Sequence, residues 1–184
     1  MNNKILYLAS LALLPISAFS APTVTFEGEV TTQTCSVNVN GSTNSIVLLP
    51  TVSTSDFGTT LTTGQTAGLT PFTITVSGCA PSTTAAQPIT TKFLGYNVDT
   101  ASGVLGNIAT TSTPASGFGI QLTKDNTGSS AVKLNGLTPV SGLSLAVGQT
   151  SASYEFGAQY YVINATGATP GKVTSVTEYT ISYL

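Results

Sequence analysis

From Thr23 to Val30 polar and apolar positions alternate without a break. Val24, Phe26, Gly28 and Val30 fall on one side, Thr23, Thr25, Glu27 and Glu29 on the other. A period of two predicts a β-strand with one greasy and one wet face. Gly28 occupies an apolar slot, and glycine inside a strand pattern marks a bulge or a close approach by another backbone or a bulky side chain. The strand lies ahead of the first cysteine, where a domain end normally frays. Its apolar face must therefore be buried against its own domain or against a neighbour.

The same alternation recurs along the chain. Ser36 to Val39 is a short strand closed by the turn dipeptide Asn40-Gly41. Ser45 to Leu49 is a brief apolar run ended by Pro50, and residues 51 to 70, rich in Thr, Ser and Gly, read as a surface connection with one edge strand. Phe72 to Ser77 alternates cleanly and runs through Gly78 into Cys79; Pro88 to Tyr96 puts Ile89, Thr91 and Phe93 on one face. Residues 97 to 116 read as loop with a weak apolar patch at Val104, Leu105 and Ile108. Phe118, Ile120 and Leu122 alternate up to Lys124-Asp-Asn-Thr-Gly128, and Val132 and Leu134 alternate on the return, which predicts a hairpin. Leu143, Leu145 and Val147 give another strand, and Tyr154, Phe156, Ala158, Tyr160 and Val162 a long one. A terminal strand carries Tyr179, Ile181 and Tyr183. Apolar residues nowhere keep helical spacing beyond a turn. The pattern predicts an all-β, sandwich-like chain of eight to ten short strands.

The first residues change the picture of where this domain resides. Lys4, an apolar run from Ile5 to Leu14, Pro15 and then Ala18-Phe-Ser20 have the layout of a secretory signal, residues 1–20, cleaved after Ser20. The run is about half of the roughly 20 apolar residues a spanning helix needs, so no membrane insertion is expected once it is removed. The 184 residues otherwise fit one domain. In an exported chain Cys35 and Cys79 have only each other as partners, and a disulfide is expected between them. Free redox-active thiols would want Cys-x-x-Cys spacing, which is absent.

Charge and composition narrow the chemistry. There is no histidine, and Lys and Arg together number five against seven acids. Without a basic face, nucleic acid and anionic lipid are not expected as partners. Only 7% of residues are charged, far below the usual quarter, which suggests a surface covered by copies of itself or an inert one. The missing histidine removes the commonest general base, the usual metal ligand and every Ser-His or Cys-His arrangement. Glu27 and Glu29 share a strand face, but as its solvated side rather than as paired catalytic acids. Ser130-Ala-Val-Lys133 matches the Ser-x-x-Lys pattern of penicillin-binding enzymes but sits on a hairpin return and lacks companion motifs. Asp125 and Asn126 read as a turn rather than calcium ligands. Asn40-Gly-Ser and Asn164-Ala-Thr are glycosylation sequons in form only. Tyr154 to Tyr161 could line a sugar site, but shared parity makes Tyr154, Phe156 and Tyr160 core residues instead. No catalytic residue, cofactor or metal site is expected.

At its two ends and middle the chain resembles a known family. Thr23-Val-Thr-Phe-Glu-Gly-Glu-Val30 followed by Cys35-Ser-Val37 is similar to the front of chaperone-usher fimbrial subunits of the type 1 pilin kind, and Thr70-Pro-Phe-Thr-Ile-Thr-Val-Ser-Gly-Cys79 to their second-cysteine block. Tyr160-Tyr161 through Thr169-Pro-Gly171 to the penultimate Tyr183 resembles their C-terminal end. Together these motifs cover essentially the whole chain after residue 20.

The resemblance implies an immunoglobulin-like β-sandwich over residues 35–184 that lacks its last strand, an incomplete pilin fold. Residues 21–34 would be an N-terminal donor-strand extension. The exposed groove would be filled first by a periplasmic pilus chaperone. An outer-membrane usher would then exchange the chaperone strand for the extension of the next subunit, a form of strand addition. Val24, Phe26, Gly28 and Val30 would be the donated face, and Gly171, Tyr179, Ile181 and Tyr183 part of the acceptor groove and C-terminal strand. Partners would be neighbouring copies in a homopolymer and other pilus subunits. The product would be a surface fimbria, exported through the periplasm and supporting adhesion to surfaces or host cells.

Two other readings remain open on the residues alone. A self-contained secreted β-sandwich that binds a ligand such as a glycan would be monomeric, with residues 21 to 30 folded onto their own domain. A secreted enzyme is disfavoured by the missing histidine.

Overall fold

The computed structural model describes residues 28–33 and 35–183. The expected signal segment, and the part of the first alternating stretch that holds Val24 and Phe26, lie outside these residues.

Two antiparallel sheets face each other, as alternating sequences with one apolar face require. The strands are β1 (Ser36–Val39), β2 (Thr66–Ser77), β3 (Gln87–Gly95), β4 (Val98–Asp99), β5 (Val104–Gly106), β6 (Phe118–Thr123), β7 (Ala131–Val132), β8 (Leu137–Leu145), β9 (Ser151–Val162) and β10 (Thr177–Ser182). The larger sheet runs β1-β2-β9-β6-β5-β4, with β7 paired to β6, and the smaller runs β10-β3-β8. This is the expected all-β sandwich.

The long strands β2 and β9 carry the centre of the core. Phe72 and Phe156 lie directly opposite each other, their rings 5.6 Å apart and stacked. From the facing sheet, Phe93 meets Phe156 edge-on at 5.4 Å. Three buried aromatic rings thus tie the sheets together, each worth about 1.5–3 kcal/mol in burial, with a further increment from ring geometry. Ile74, Leu105, Ile120, Leu122 and Val140 belong to the same cluster. A second cluster, Val76, Cys79, Ile89, Leu143 and Leu145, lies at the disulfide end.

The disulfide joins Cys35 to Cys79, stapling the start of β1 to the end of β2. The register fits, since Ser36 pairs with Ser77 and Val39 with Ile74. The Asn40-Gly41 turn forms with positive φ at both residues, and Asn40 Oδ1 accepts the Thr73 N–H at 2.8 Å.

Two stretches differ from expectation. Residues 51–70 are not only a connection: a turn of 3-10 helix spans Thr54–Phe57 and buries Phe57, and β2 already begins at Thr66, an interior strand between β1 and β9. A break in register between Ala67 and Thr70 absorbs Gly68 at φ 67° and lets Pro71 stay in the strand. Gly and Pro together disguise the strand in the sequence. Within 97–116, β4 and β5 add to the sheet edge and bury Val104 and Leu105. Val147, in contrast, falls outside β8 and is exposed.

Candidate functional site

The sandwich is open along one side. A cleft of about 850 Å³ penetrates to the core, and Phe72, Phe93, Leu105, Ile120, Leu122 and Tyr160 line its floor. Its walls are two extended segments that belong to neither sheet ladder, residues 45–49 and 170–176.

The first wall is the apolar run before Pro50. Val47 and Leu49 pack on the core cluster, whereas Ile46 and Leu48 are 82% and 81% exposed. Ser45 anchors its start through hydrogen bonds from its hydroxyl to the carbonyls of Val39 and Ser42.

The second wall is held from behind. Lys172 donates its N–H to Thr113 O and accepts from Ala115 N, both at 2.9 Å, and Thr174 O accepts the Ile108 N–H at 2.8 Å. Asn107 fastens the same segment: its Nδ2 donates to Lys172 O and Ala115 O, each at 2.8 Å. Its Oδ1 accepts the N–H of Thr174 at 2.9 Å and of Ala109 at 3.0 Å. The Ser175 hydroxyl adds a bond to Gly106 O at 2.9 Å. These bonds tie the wall to residues 105–115 and hold it in place beside the open core.

Beyond this wall the chain enters β10, an edge strand of its sheet. The carbonyl of Val176 accepts the Tyr96 N–H on the β3 side at 3.0 Å. By strand alternation the backbone groups of Thr177, Tyr179, Ile181 and Tyr183 therefore point to the open edge. Tyr183 N–H does so, and donates to Glu29 Oε1 at 3.0 Å.

The residues singled out in the sequence fall in distinct places. Tyr179 lines the cleft, while Ile181 and Tyr183 pack on the second core cluster at the disulfide end. Burial pushes the Tyr183 hydroxyl's pKa up, and the nearby Glu29 carboxylate adds to this. Gly171 lies in the second wall rather than in β10. A Cβ there would stand 2.5 Å from Thr113 O and 2.6 Å from Ala115 N, so glycine is what lets the wall close against residues 113–115. Gly28 has nothing within 4 Å of a built Cβ, and Val30 is 101% exposed. Residues 28–30 belong to no ladder here.

For the groove, the sequence reading named Gly171 and none of the other wall residues. Asn107 carries no motif, and its value as a four-bond anchor appears only once residues 113–115 and 172–174 converge on it. Residues 46–49 did offer a signal: four apolar side chains in a row, ended by proline, with no strand partner in sight.

Other chemistry is sparse. Among the described residues no group of His, Cys, Asp or Glu is placed to hold a metal ion. Asp125 spends its carboxylate on its own turn, accepting the Thr127 hydroxyl at 2.5 Å and backbone N–H groups of Thr127, Ser129 and Ser130. Tyr154 packs edge-on against Phe156 at 4.9 Å, a core contact, and Tyr160 lines the cleft floor.

Known proteins resemble this chain in sequence and in fold. The family model described as fimbrial protein matches residues 24–183. The F17 fimbrial protein of Escherichia coli is 40% identical over 164 residues, 87% of this chain and 86% of that protein. The major fimbrial subunit SMF-1 of Stenotrophomonas maltophilia (strain K279a) is 37% identical over 178 residues, 94% of this chain and 99% of its own. Among solved structures, the P pilus rod subunit PapA shares the fold with TM-score 0.57 at 17% identity, covering 82% of this chain and 99% of that one. A chaperone-usher pilus structure concerned with rod uncoiling matches with TM-score 0.56 at 18% identity, covering 93% and 100%.

Proposed function

We propose, from the premise that this chain belongs to the fimbrial protein family, that its copies polymerise by donor-strand exchange. The chain is a structural subunit of a pilus and not an enzyme. The finer reading concerns how one copy joins the next. Residues 1–20 are a signal removed on export, residues 21–34 are the extension, and residues 35–184 are the receiving domain.

The observation that carries this reading is the open core beside β10. A cleft floored by Phe72, Phe93 and Ile120 between two walls outside the sheet ladders suits an incoming extended strand. Such a strand would bury apolar side chains below and pair with backbone at its sides. Val24, Phe26, Gly28 and Val30 form the donated face, Gly28 at the point of closest approach. Gly171 and Tyr179 border the receiving groove, and Ile181 and Tyr183 extend its edge. Burying three large apolar side chains at about 1.5–3 kcal/mol each, with a ladder of backbone bonds, makes a strong joint. Release requires opening the acceptor's core, so the joint is also slow to part.

A periplasmic chaperone holds the groove before assembly and an outer-membrane usher catalyses the exchange, so the subunit passes through the periplasm to a surface fimbria that supports adhesion. The test trims residues 21–30 and adds them back as a peptide. Trimming should abolish polymers, and the peptide should raise the melting temperature by many degrees. Phe26→Asp should stop assembly while sparing chaperone binding. Normal fibres from the trimmed chain would refute the mechanism, and normal fibres from Phe26→Asp would refute the donated face.

A further inference from the structure

We propose that Glu29 is a positioning residue that holds the extension against its own subunit's β10 edge, through Ser182 and Tyr183, until strand donation breaks that contact. This rests on the donor-strand reading above.

One carboxylate engages both halves of the proposed joint. Glu29 Oε2 accepts the Ser182 hydroxyl at 2.5 Å, and Oε1 accepts the Tyr183 N–H at 3.0 Å, contacts that span more than 150 positions of sequence. Ser182 is buried, and a buried hydroxyl stripped of its acceptor is costly. The Tyr183 N–H is the outward-pointing donor at the end of the edge that an arriving strand would use. Glu29 itself stands between Gly28 and Val30, two members of the donated face. Seating those residues in a neighbour's groove therefore pulls Glu29 off its own Ser182 and Tyr183.

The attachment is polar, which makes it releasable. Val30 is fully exposed, so no apolar packing at that position fixes the segment. The second fastening is also polar: Gln33 Nε2 donates to Gln87 Oε1 at 2.8 Å, and Gln33 Oε1 accepts the Ala80 N–H at 3.1 Å beside the disulfide. The Ser182 hydroxyl and then the Tyr183 N–H hold the Glu29 carboxyl below its ordinary pKa, and Lys92, which lines the same small recess, adds a smaller push the same way. The two fastenings tie the root of the extension to the end of β10 and to the start of β3.

Two variants test this from opposite sides. Glu29→Ala removes the acceptor, and Ser182→Ala removes a donor without altering the extension. In the unassembled full-length mature chain, hydrogen exchange of the Tyr183 amide should be slow in the wild type and several-fold faster in Glu29→Ala. Both variants should raise the rate of polymer formation several-fold. Wild-type rates in both variants, or a Glu29–Tyr183 contact that persists in the polymer, would overturn the proposal. So would a Glu29→Ala chain that cannot assemble while Ser182→Ala assembles normally, since Glu29 would then act in the finished joint. Failure of the donor-strand reading is separate: it shows as polymers from the chain trimmed of residues 21–30.

Discussion

Asn107 Oδ1 accepts the backbone N–H of Thr174 at 2.9 Å across 67 positions of sequence, and the same side chain donates to the carbonyls of Lys172 and Ala115. One amide thus holds the second wall of the cleft at a fixed distance from β5. Asn107→Ala leaves several polar backbone groups without partners, and it should cost about 1–3 kcal/mol of stability. It should also weaken binding of a peptide of residues 21–30. Urea unfolding and peptide titration check the two effects, and unchanged peptide affinity would mean that the wall is held without Asn107.

Gly171→Ala attacks the same wall by crowding. The added methyl meets Thr113 O, Pro114 C and Ala115 N at 2.5–2.7 Å, all backbone atoms that cannot swing aside. Overpacking of this kind costs about 1–3 kcal/mol. The expected signature is a lower melting temperature together with reduced peptide affinity, because the displaced backbone is the groove's own border.

The disulfide closes a loop with a sequence separation of 44. Replacing both cysteines by serine should lower stability by about 4 kcal/mol, the loop-closure value for that length. Denaturant midpoints of the oxidised chain and the double variant measure it directly. An equal midpoint would show that the β1–β2 pairing suffices to hold that end.

Thr91 sits wholly buried in β3, and its Oγ1 has no hydrogen-bond partner among the described residues. Thr91→Val keeps the shape and removes the unpaired hydroxyl. It should raise stability by about 1 kcal/mol, read as a higher urea midpoint. A fall would mean that the hydroxyl has a partner in solution.

Asp125 should set the acid response of the β6–β7 hairpin. Its carboxyl is held far below the usual carboxylate range, above all by the Thr127 hydroxyl, with Ser129 adding backbone and side-chain bonds. A depressed folded-state value gives stability that is fully present above the ordinary pKa of about 3.9 and is lost as pH falls through the lowered value. The melting-temperature gap between wild type and Asp125→Ala should therefore hold from neutral pH down to about 4 and close only in stronger acid. A gap that closes near pH 6 would assign the effect to another group.

The alternation of side chains by itself determined most of the β-architecture, because a strand with one buried face must repeat every two residues whatever it packs against. Ile89, Thr91 and Phe93 of β3, and Phe156, Ala158 and Val162 of β9, are buried as their parity requires. Cys35 and Cys79 paired for want of another partner. Where glycine and proline interrupt the pattern, as at Gly68 and Pro71, the strand became visible only through its partner β9, since pairing across strands tolerates a local break that propensity does not. The cleft, which only the family resemblance implied, was beyond the alternation pattern for a different reason. Eight to ten strands are enough for a closed sandwich, and whether they close depends on how segments far apart in sequence meet. Residues 45–49 and 170–176 are ordinary extended chain until the core between them is seen to be open. Asn107 and Glu29 likewise gain their roles from backbone groups that only the folded chain brings within 3 Å.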